Sequence, residues 1–366
     1  MHYVSGLMLT DEGFIEGHIG FEDGRVVEVG RGEARSSLAR GVIVPTMVNA
    51  HTHIADFLVP VDFSLPLEQI VAPPDGLKHR MLKEIPGDRL IKSMRHLARY
   101  MLRRGTSHFI DFREGGVIGA QLLSKIRDGT AKPVIFGRPS GLEFLREEVD
   151  EILKVADGIG VSAISDWDYS VLHDLASYVR KKKKRFALHA SERIREDIDK
   201  VLDLRPSFIV HMTVATDSDL ELCAQENVPI VVCPRSNLLF GRIPPLDRMI
   251  HKGVRIALGT DNAMFSLPDM FTELEFAGRI LRYQGIKEVD DVLTMVFKTG
   301  REILGLKGLS GLAPGDLCDF MVIESKGGDP VTDLVFRSSS SDPIMVCVGE
   351  RVLGTKRIKI KESKSQ

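Results

Sequence analysis

The feature that most constrains the fold is a repeated alternation of short apolar segments with helix-length amphipathic segments, which begins at Val42 and occupies more than half of the chain. The apolar segments are rich in β-branched residues, as the buried strands of a parallel sheet are. We predict eight such strands at residues 42–49, 106–112, 133–136, 158–164, 186–189, 208–211, 229–233 and 255–258. Eight strands separated by helices predict an α/β fold, a (β/α)8 barrel of the TIM type.

The alternative architecture for such an alternation is an open, doubly wound parallel sheet. It is disfavoured because no glycine-rich phosphate-binding motif follows the first strand. Short β-like runs precede Val42 and return near the end of the chain, so the two ends are predicted to form one small discontinuous β-sandwich domain. The predicted divisions are residues 1–44 with 311–358 for the sandwich, 45–310 for the barrel and 359–366 for a polar tail.

The composition argues against several classes of partner. The formal net charge is only −2, which predicts no nucleic-acid partner. We find no secretory signal and no apolar run that is long enough to span a bilayer, so we expect no membrane partner and a cytoplasmic location. The four cysteines form no CxxC pair and are expected to be reduced thiols. A homo-oligomer is left open, because barrel proteins of this size commonly assemble.

Polar side chains stand at the carboxyl ends of the predicted strands, where barrels of this type carry their chemistry. The first strand ends in His51 and His53, which lie on one face because strand residues two apart point the same way. The fifth and sixth strands end in His189 and His211, and the eighth ends in Asp261. Imidazole and carboxylate groups are common ligands of zinc and iron. The pattern therefore predicts a metal centre at one mouth of the barrel.

The same motifs resemble the amidohydrolase superfamily, and within it the cytosine deaminase and chlorohydrolase-like branch of aminohydrolases. They are HTH at the end of the first strand, HASE after the fifth, VHM after the sixth, PRSN after the seventh and GTDN after the eighth. The segment GLAPGDLCDFMVI at 311–323 is similar to the family's return into its small β-sandwich. The resemblance covers nearly the whole chain, and its motifs are specific as a set.

The resemblance implies one divalent metal ion, zinc first and ferrous iron as the alternative, held by His51, His53, His189 and Asp261. It also implies three catalytic residues. Glu192 matches the glutamate of the HxxE motif that shuttles a proton, and His211 matches the histidine that orients the nucleophile or polarises the scissile carbon. Asp261 would touch the metal and also act as a base.

The chemistry of such a centre agrees with a hydrolase of a non-peptide C–N bond. A divalent ion lowers the pKa of bound water from near 16 towards about 7, which makes hydroxide available at neutral pH. The hydroxide would attack an sp2 carbon that carries an amino group, while Glu192 protonates the ring nitrogen. We therefore predict deamination of a small-molecule substrate, an amino-substituted heterocycle such as a pyrimidine, purine, triazine or pterin.

Other functions are kept as alternatives. The same centre could serve a cyclic amide hydrolase or a chlorohydrolase, although a proton-shuttling glutamate favours deamination. A non-catalytic metal-binding protein is less favoured, because Glu192, His211 and Asp261 are all present. The binuclear branch of the superfamily carries a carboxylated lysine at the end of the fourth strand. The fourth strand here, in GIGVSAISDW, ends without a lysine, which argues for a single metal ion.

Residues after several strands are candidate substrate contacts, namely Arg113, Arg138, Trp167, Arg235 and Asn237. One hypothesis is that Arg113 or Arg138 clamps an anionic group of the substrate. The equally weighted alternative is an internal salt-bridge network of these arginines with Glu114 and Asp166. Trp167 could stack on a heteroaromatic ring or belong to the core. The long segment after the first strand is a candidate lid.

Overall fold

The computed structural model describes residues 1–61, 64–65, 67–71, 76–126, 129–308 and 312–354. The strands of this part of the chain are β1 His2–Thr10, β2 Gly13–Glu22, β3 Arg25–Arg31, β4 Ala39–Pro45, β5 Met47–His53, β6 Thr106–Arg113, β7 Lys132–Gly137, β8 Gly158–Val161, β9 Arg185–Ala190, β10 Ile209–His211, β11 Ile230–Val232, β12 Ile256–Leu258, β13 Asp261–Asn262, β14 Asp319–Ile323, β15 Met345–Val348 and β16 Arg351–Gly354.

The helices are α1 Leu67–Val71, α2 Leu77–Glu84, α3 Gly87–Arg103, α4 Gly116–Leu123, α5 Arg146–Leu153, α6 Tyr169–Lys181, α7 Ile198–Asp203, α8 Asp217–Gln225, α9 Pro234–Leu239, α10 Leu246–His251, α11 Met270–Tyr283, α12 Asp291–Thr294, α13 Gly300–Ile303 and α14 Pro330–Thr332. Within the described ranges, none of them combines the length and the apolar character that crossing a bilayer requires.

Side-chain caps start several of the helices that follow barrel strands. The Asp168 carboxylate accepts hydrogen bonds from the backbone N–H groups of Ser170 and Val171 at the start of α6. At α8, Thr216 and Asp219 form a reciprocal capping box. These bonds satisfy N–H groups that have no partner within the helix. Short polar residues at these two N-termini therefore help to set where α6 and α8 begin.

Strands β5 to β13 form one parallel sheet in the order β12-β11-β10-β9-β8-β7-β6-β5-β13. Only Gly259 and Thr260 separate β12 from β13. The Gly259 N–H donates to the Val232 carbonyl at 2.9 Å, and the Thr260 N–H donates to the His51 carbonyl at 3.0 Å. The two edges of the sheet meet at this link, so the sheet curls back on itself. The predicted α/β fold is confirmed as TIM-like, with helices between its parallel strands.

The first predicted barrel strand, 42–49, is two strands in the structure. Strand β4 pairs with β1 and β14, whereas β5 pairs with β6 and β13. The break lies at Thr46, whose N–H donates to the Asp319 carbonyl at 3.1 Å. The next N–H, that of Met47, donates to the Gly105 carbonyl at 2.8 Å. The chain changes sheets across one residue, which a continuous apolar run in the sequence does not reveal.

Strands from both ends of the chain form a second sheet of seven strands, in the order β16-β15-β14-β4-β1-β2-β3. Its apolar core includes Val4, Ile19, Ile43 and Phe320, all fully buried. The two ends of the chain thus share one sheet. The sandwich form of this unit and the domain boundaries stay predictions, and the predicted tail at 359–366 lies outside the described residues.

Aromatic side chains fill the interior of the curled sheet below its mouth. The Phe112 ring lies 5.6 Å from the Phe136 ring and 4.7 Å from the His51 ring, centroid to centroid. A Cβ atom at Gly160 would come within 2.8 Å of the Phe112 ring, so this position needs a glycine for close packing. The packed interior gives the polar groups above it a rigid, water-excluding floor.

A half-buried histidine in β6 predicts a pH dependence of stability. Burial lowers the pKa of His108 to about 4. Between pH 6.5 and about 4 the unfolded chain therefore binds a proton that the native protein does not, and stability falls as the pH falls. Urea unfolding of His108→Gln is expected to show a shallower pH slope than wild type by about 1.4 kcal/mol per pH unit in this range. Equal slopes for the two proteins would contradict the prediction.

Candidate active site

Three imidazoles and a carboxylate meet at the mouth of the curled sheet. The Nε2 atom of His51 lies 3.2 Å from Nε2 of His189 and 3.4 Å from Oδ1 of Asp261. The Nε2 atom of His53 lies 3.7 Å from the same Asp261 oxygen. One nitrogen from each of the three histidines falls within 4.8 Å of the others, a spacing at which they could hold one metal ion. The structure therefore brings together the four predicted ligands, from β5, β9 and β13.

The protonation states of these groups suit a divalent cation. The Nδ1–H of His189 donates to the Val161 carbonyl at 2.9 Å, which leaves the Nε2 lone pair facing the centre. Burial lowers the pKa of His51 to about 3 and the pKa of His189 well below its usual value, so both are neutral. Burial opposes ionisation of Asp261, but the hydrogen bond to His51 and the nearby imidazoles hold its pKa well below the usual value. The neutral imidazoles of His51 and His189 beside an ionised carboxylate fit a zinc or iron site. At His53 burial opposes protonation, but the nearby Glu114 carboxylate raises the pKa above its usual value.

The two other predicted catalytic residues face each other beside this centre. The Nε2 atom of His211 lies 3.6 Å from Oε1 of Glu192. The amide Nδ2–H of Asn237 donates to Nδ1 of His211 at 3.3 Å, which places the imidazole hydrogen on Nε2. Both Glu192 and His211 line the cavity onto which Asp261 also opens. The pair therefore offers a carboxyl group and an N–H within reach of one small molecule.

Left-handed backbone aims several of these side chains at the cavity. The φ angles are 81° at His211, 54° at Met212 and 58° at Asp261, which are uncommon values for residues other than glycine. Ser191, just after the fifth barrel strand, has a φ of 47°, and its N–H donates to the Glu196 carboxylate at 3.1 Å. Such conformations cluster at functional sites, where surrounding contacts hold them. The motifs in the sequence do not reveal this geometry.

The PRSN motif forms the first turn of α9 and anchors the centre from one side. The Ser236 hydroxyl donates to Oδ2 of Asp261 at 2.5 Å. The guanidinium of Arg235 donates through Nε to the buried Glu273 carboxylate at 2.5 Å. Arg235 and Asn237 were predicted as substrate contacts, and the structure gives each of them a partner within the protein. Their contact with substrate stays a prediction.

The remaining predicted substrate contacts lie in different surroundings. Trp167 is only 7% exposed, and its indole N–H donates to Ser162 at 3.2 Å, which places it in the core. Arg113 and Arg138 both turn towards Glu114, with guanidinium nitrogens 3.7 Å from its carboxylate oxygens. These contacts match an internal salt-bridge network around Glu114, which is the alternative to an anion clamp. Arg138 also lines the cavity.

A buried charged cluster beside His53 includes two residues, Asp56 and Lys78, that the motifs in the sequence do not indicate. The Lys78 ammonium lies 3.1 Å from Oδ2 of Asp56 and 2.7 Å from Oε1 of Glu114. The same Glu114 oxygen lies 2.9 Å from Nδ1 of His53, and Asn262 donates to Asp56 at 2.9 Å. Asp56 follows the HTH motif by three residues, a local signal that could have been used. Lys78 has no such signal, because it lies in a separate helix, α2, and no spacing relates it to the HTH motif.

Comparisons with known proteins agree with this geometry. A family model described as the amidohydrolase family matches residues 42–353. A putative aminohydrolase of Methanothermobacter thermautotrophicus is 30% identical over 356 residues, which cover 89% of this chain and 91% of the relative. A 5-methylthioadenosine/S-adenosylhomocysteine deaminase of Syntrophobacter fumaroxidans is 25% identical over an alignment of 404 positions, which covers 93% of this chain and 89% of the relative.

A crystal structure of an adenosine deaminase from Xanthomonas campestris with bound zinc has the same fold. It superposes with a TM-score of 0.75 at 18% identity, over 99% of this chain and 94% of that one. The family model spans both the barrel strands with the candidate ligands and the returning strands of the second sheet. The chain therefore belongs to the amidohydrolase family and is an enzyme of the aminohydrolase type.

Proposed function

We propose that this protein deaminates an amino-substituted heterocycle with the help of one divalent metal ion, zinc first. The observation that carries the proposal is the convergence of three imidazoles and the Asp261 carboxylate beside the facing pair of Glu192 and His211. The deaminase named among the relatives, and the zinc-bound deaminase with the same fold, support the choice of reaction and metal. Acid, base and ligand groups at one cavity are what hydrolysis of a C–N bond requires.

The side chains at the cavity divide the proton transfers among them. A divalent ion held by the four ligands would lower the pKa of water and supply a nucleophile at neutral pH. Glu192 lines the cavity and would protonate a ring nitrogen as the substrate carbon becomes tetrahedral. The Nε2–H of His211, oriented by Asn237, can stabilise the oxygen that gains charge at that carbon. Asp261 accepts the proton from the attacking water and returns it to the leaving nitrogen, which departs as ammonia. The hydroxyl proton of the tetrahedral carbon returns to Glu192 as the carbonyl forms.

The size and lining of the cavity support a small substrate. Its volume is about 120 Å³, and polar groups from several strands converge on it. Asp166, Ser165 and Asn262 line the cavity besides the catalytic pair, so its walls offer hydrogen-bond donors and acceptors to a heterocycle. The cytoplasmic location and the homo-oligomer stay predictions.

Metal analysis together with an ammonia-release screen tests the proposal. We expect about one equivalent of zinc or iron per chain, and ammonia from at least one aminated pyrimidine, purine, triazine or pterin. Ring opening without ammonia would move the protein to the cyclic amide hydrolases, and halide release would move it to the chlorohydrolases. Metal uptake without turnover on any compound would leave a metal-binding protein and contradict the proposal.

A further inference from the structure

A second group of atoms that could hold a metal ion lies at the Nδ1 side of the His53 imidazole. The Nδ1 side of the imidazole faces Glu114, and Asp56 completes the group. One ligand atom from each of these three residues falls within 4.8 Å of the others, and all three residues are buried. An imidazole with two carboxylates is a donor set that zinc, iron and manganese accept. This set shares only His53 with the centre at the mouth, so with both centres occupied His53 would bridge the two ions as an imidazolate, its remaining ring proton being released to solvent.

The ammonium of Lys78 lies in this group. Its Nζ atom is 2.7 Å from Glu114 and 3.1 Å from Asp56, and the lysine is only 3% exposed. The guanidinium groups of Arg113 and Arg138 are farther away, each 3.7 Å from the nearest Glu114 oxygen. Lys78 is therefore the cation in closest contact with both carboxylates among the described residues.

Two carboxylate oxygens of the group are not satisfied by hydrogen bonds. Oδ1 of Asp56 and Oε2 of Glu114 are buried, and neither has a hydrogen-bond partner within the ranges that the structure describes. Asp56 is completely buried, and its other oxygen accepts from both Lys78 and Asn262. Buried carboxylates with free lone pairs are costly unless a cation compensates them. The group therefore has coordination capacity beyond what one ammonium uses.

We propose that His53, Asp56 and Glu114 form a second cation site, that its occupant in this protein is the Lys78 ammonium, and that loss of Lys78 opens the site to a divalent metal ion. The ammonium occupies the position that a metal ion would take and supplies the positive charge there. A metal ion is therefore excluded from this site and binds only at the mouth. The proposal depends on ligand geometry and not on the reaction, so its test does not require a substrate.

Metal titration of Lys78→Met tests the proposal. Methionine keeps most of the volume of the side chain and removes its charge. We expect metal-free Lys78→Met to bind one equivalent of Zn²⁺ more per chain than metal-free wild type, counted by atomic absorption after gel filtration. Two control variants are expected to bind as many zinc equivalents per chain as wild type. Lys78→Arg keeps a cation at the site, and Lys83→Met changes an exposed lysine of α2. Adding Asp56→Asn to Lys78→Met should abolish the extra equivalent.

Two outcomes of the zinc count decide against the proposal. A zinc count for Lys78→Met equal to that of wild type would overturn it, as would an extra equivalent that survives Asp56→Asn. If Lys78→Met unfolds without metal, its thermal unfolding is measured with increasing Zn²⁺. Recovery of the fold with one more bound equivalent than wild type supports a divalent cation in place of the ammonium. Failure to fold with or without zinc would contradict the proposal, because it would show that a metal ion cannot replace the Lys78 ammonium. Because the comparison is a difference from wild type, failure of the deaminase proposal would not affect it.

Discussion

Replacing Glu192 with glutamine is expected to lower kcat for ammonia release by about 10²–10⁴-fold while the metal content stays at the wild-type level. The amide keeps the size of the side chain but cannot donate the proton that the ring nitrogen needs. The carboxylate lies beside His211 at the cavity, 3.6 Å from its Nε2 atom, and is not in the group of imidazole nitrogens that could hold the metal. Steady-state kinetics and metal analysis of the same preparation measure the two effects separately.

A matched control for this substitution is Glu221→Gln. Glu221 is an exposed residue of α8 whose carboxylate lies 3.5 Å from the Lys252 ammonium at the surface. Exposed ion pairs contribute little, so this variant is expected to have wild-type kinetics. A loss of less than threefold in Glu192→Gln would contradict the role of proton donor. A parallel loss of metal would instead show that Glu192 supports the metal centre.

Replacing Asp261 with asparagine is expected to weaken divalent metal binding by more than about 100-fold. Activity is expected to fall as the fraction of metal-loaded protein falls. Loss of a partner that only orients a ligand typically costs 10–100-fold in affinity, and a charged ligand contributes more. Asparagine is the suitable replacement because it tolerates the φ of 58° at this position. Competition with a chelator of known affinity for zinc measures the change.

The matched comparison is Ser236→Ala, which removes the hydroxyl that donates to Oδ2 of Asp261. This variant keeps the carboxylate and loses only a group that orients it, so a weakening of about 10–100-fold is expected. The affinity for zinc should therefore be highest in wild type, lower in Ser236→Ala and lowest in Asp261→Asn. An Asp261→Asn protein that binds zinc as tightly as wild type would show that this carboxylate is not a ligand.

Local patterns in the sequence were sufficient for the fold class and for the residues that converge at the mouth. Strand and helix periodicity are properties of neighbouring residues, so eight parallel strands could be counted before any contact was known. The carboxyl ends of parallel strands meet at one edge, which is why His51, His189 and Asp261 could be expected close together. The spacing of His51 and His53 placed both imidazoles on one face of β5 for the same local reason.

Contacts between distant segments were decided only by the tertiary structure. The change of sheets at Thr46, the network around Glu114 and the position of Lys78 all depend on residues far apart in the chain. Lys78 belongs to α2 and Glu114 directly follows β6, and no periodicity relates them. Their pairing follows from how α2 packs against the short segment that follows β5. The sequence by itself thus determined which groups stand at the strand ends, and packing determined which of them are already paired with one another.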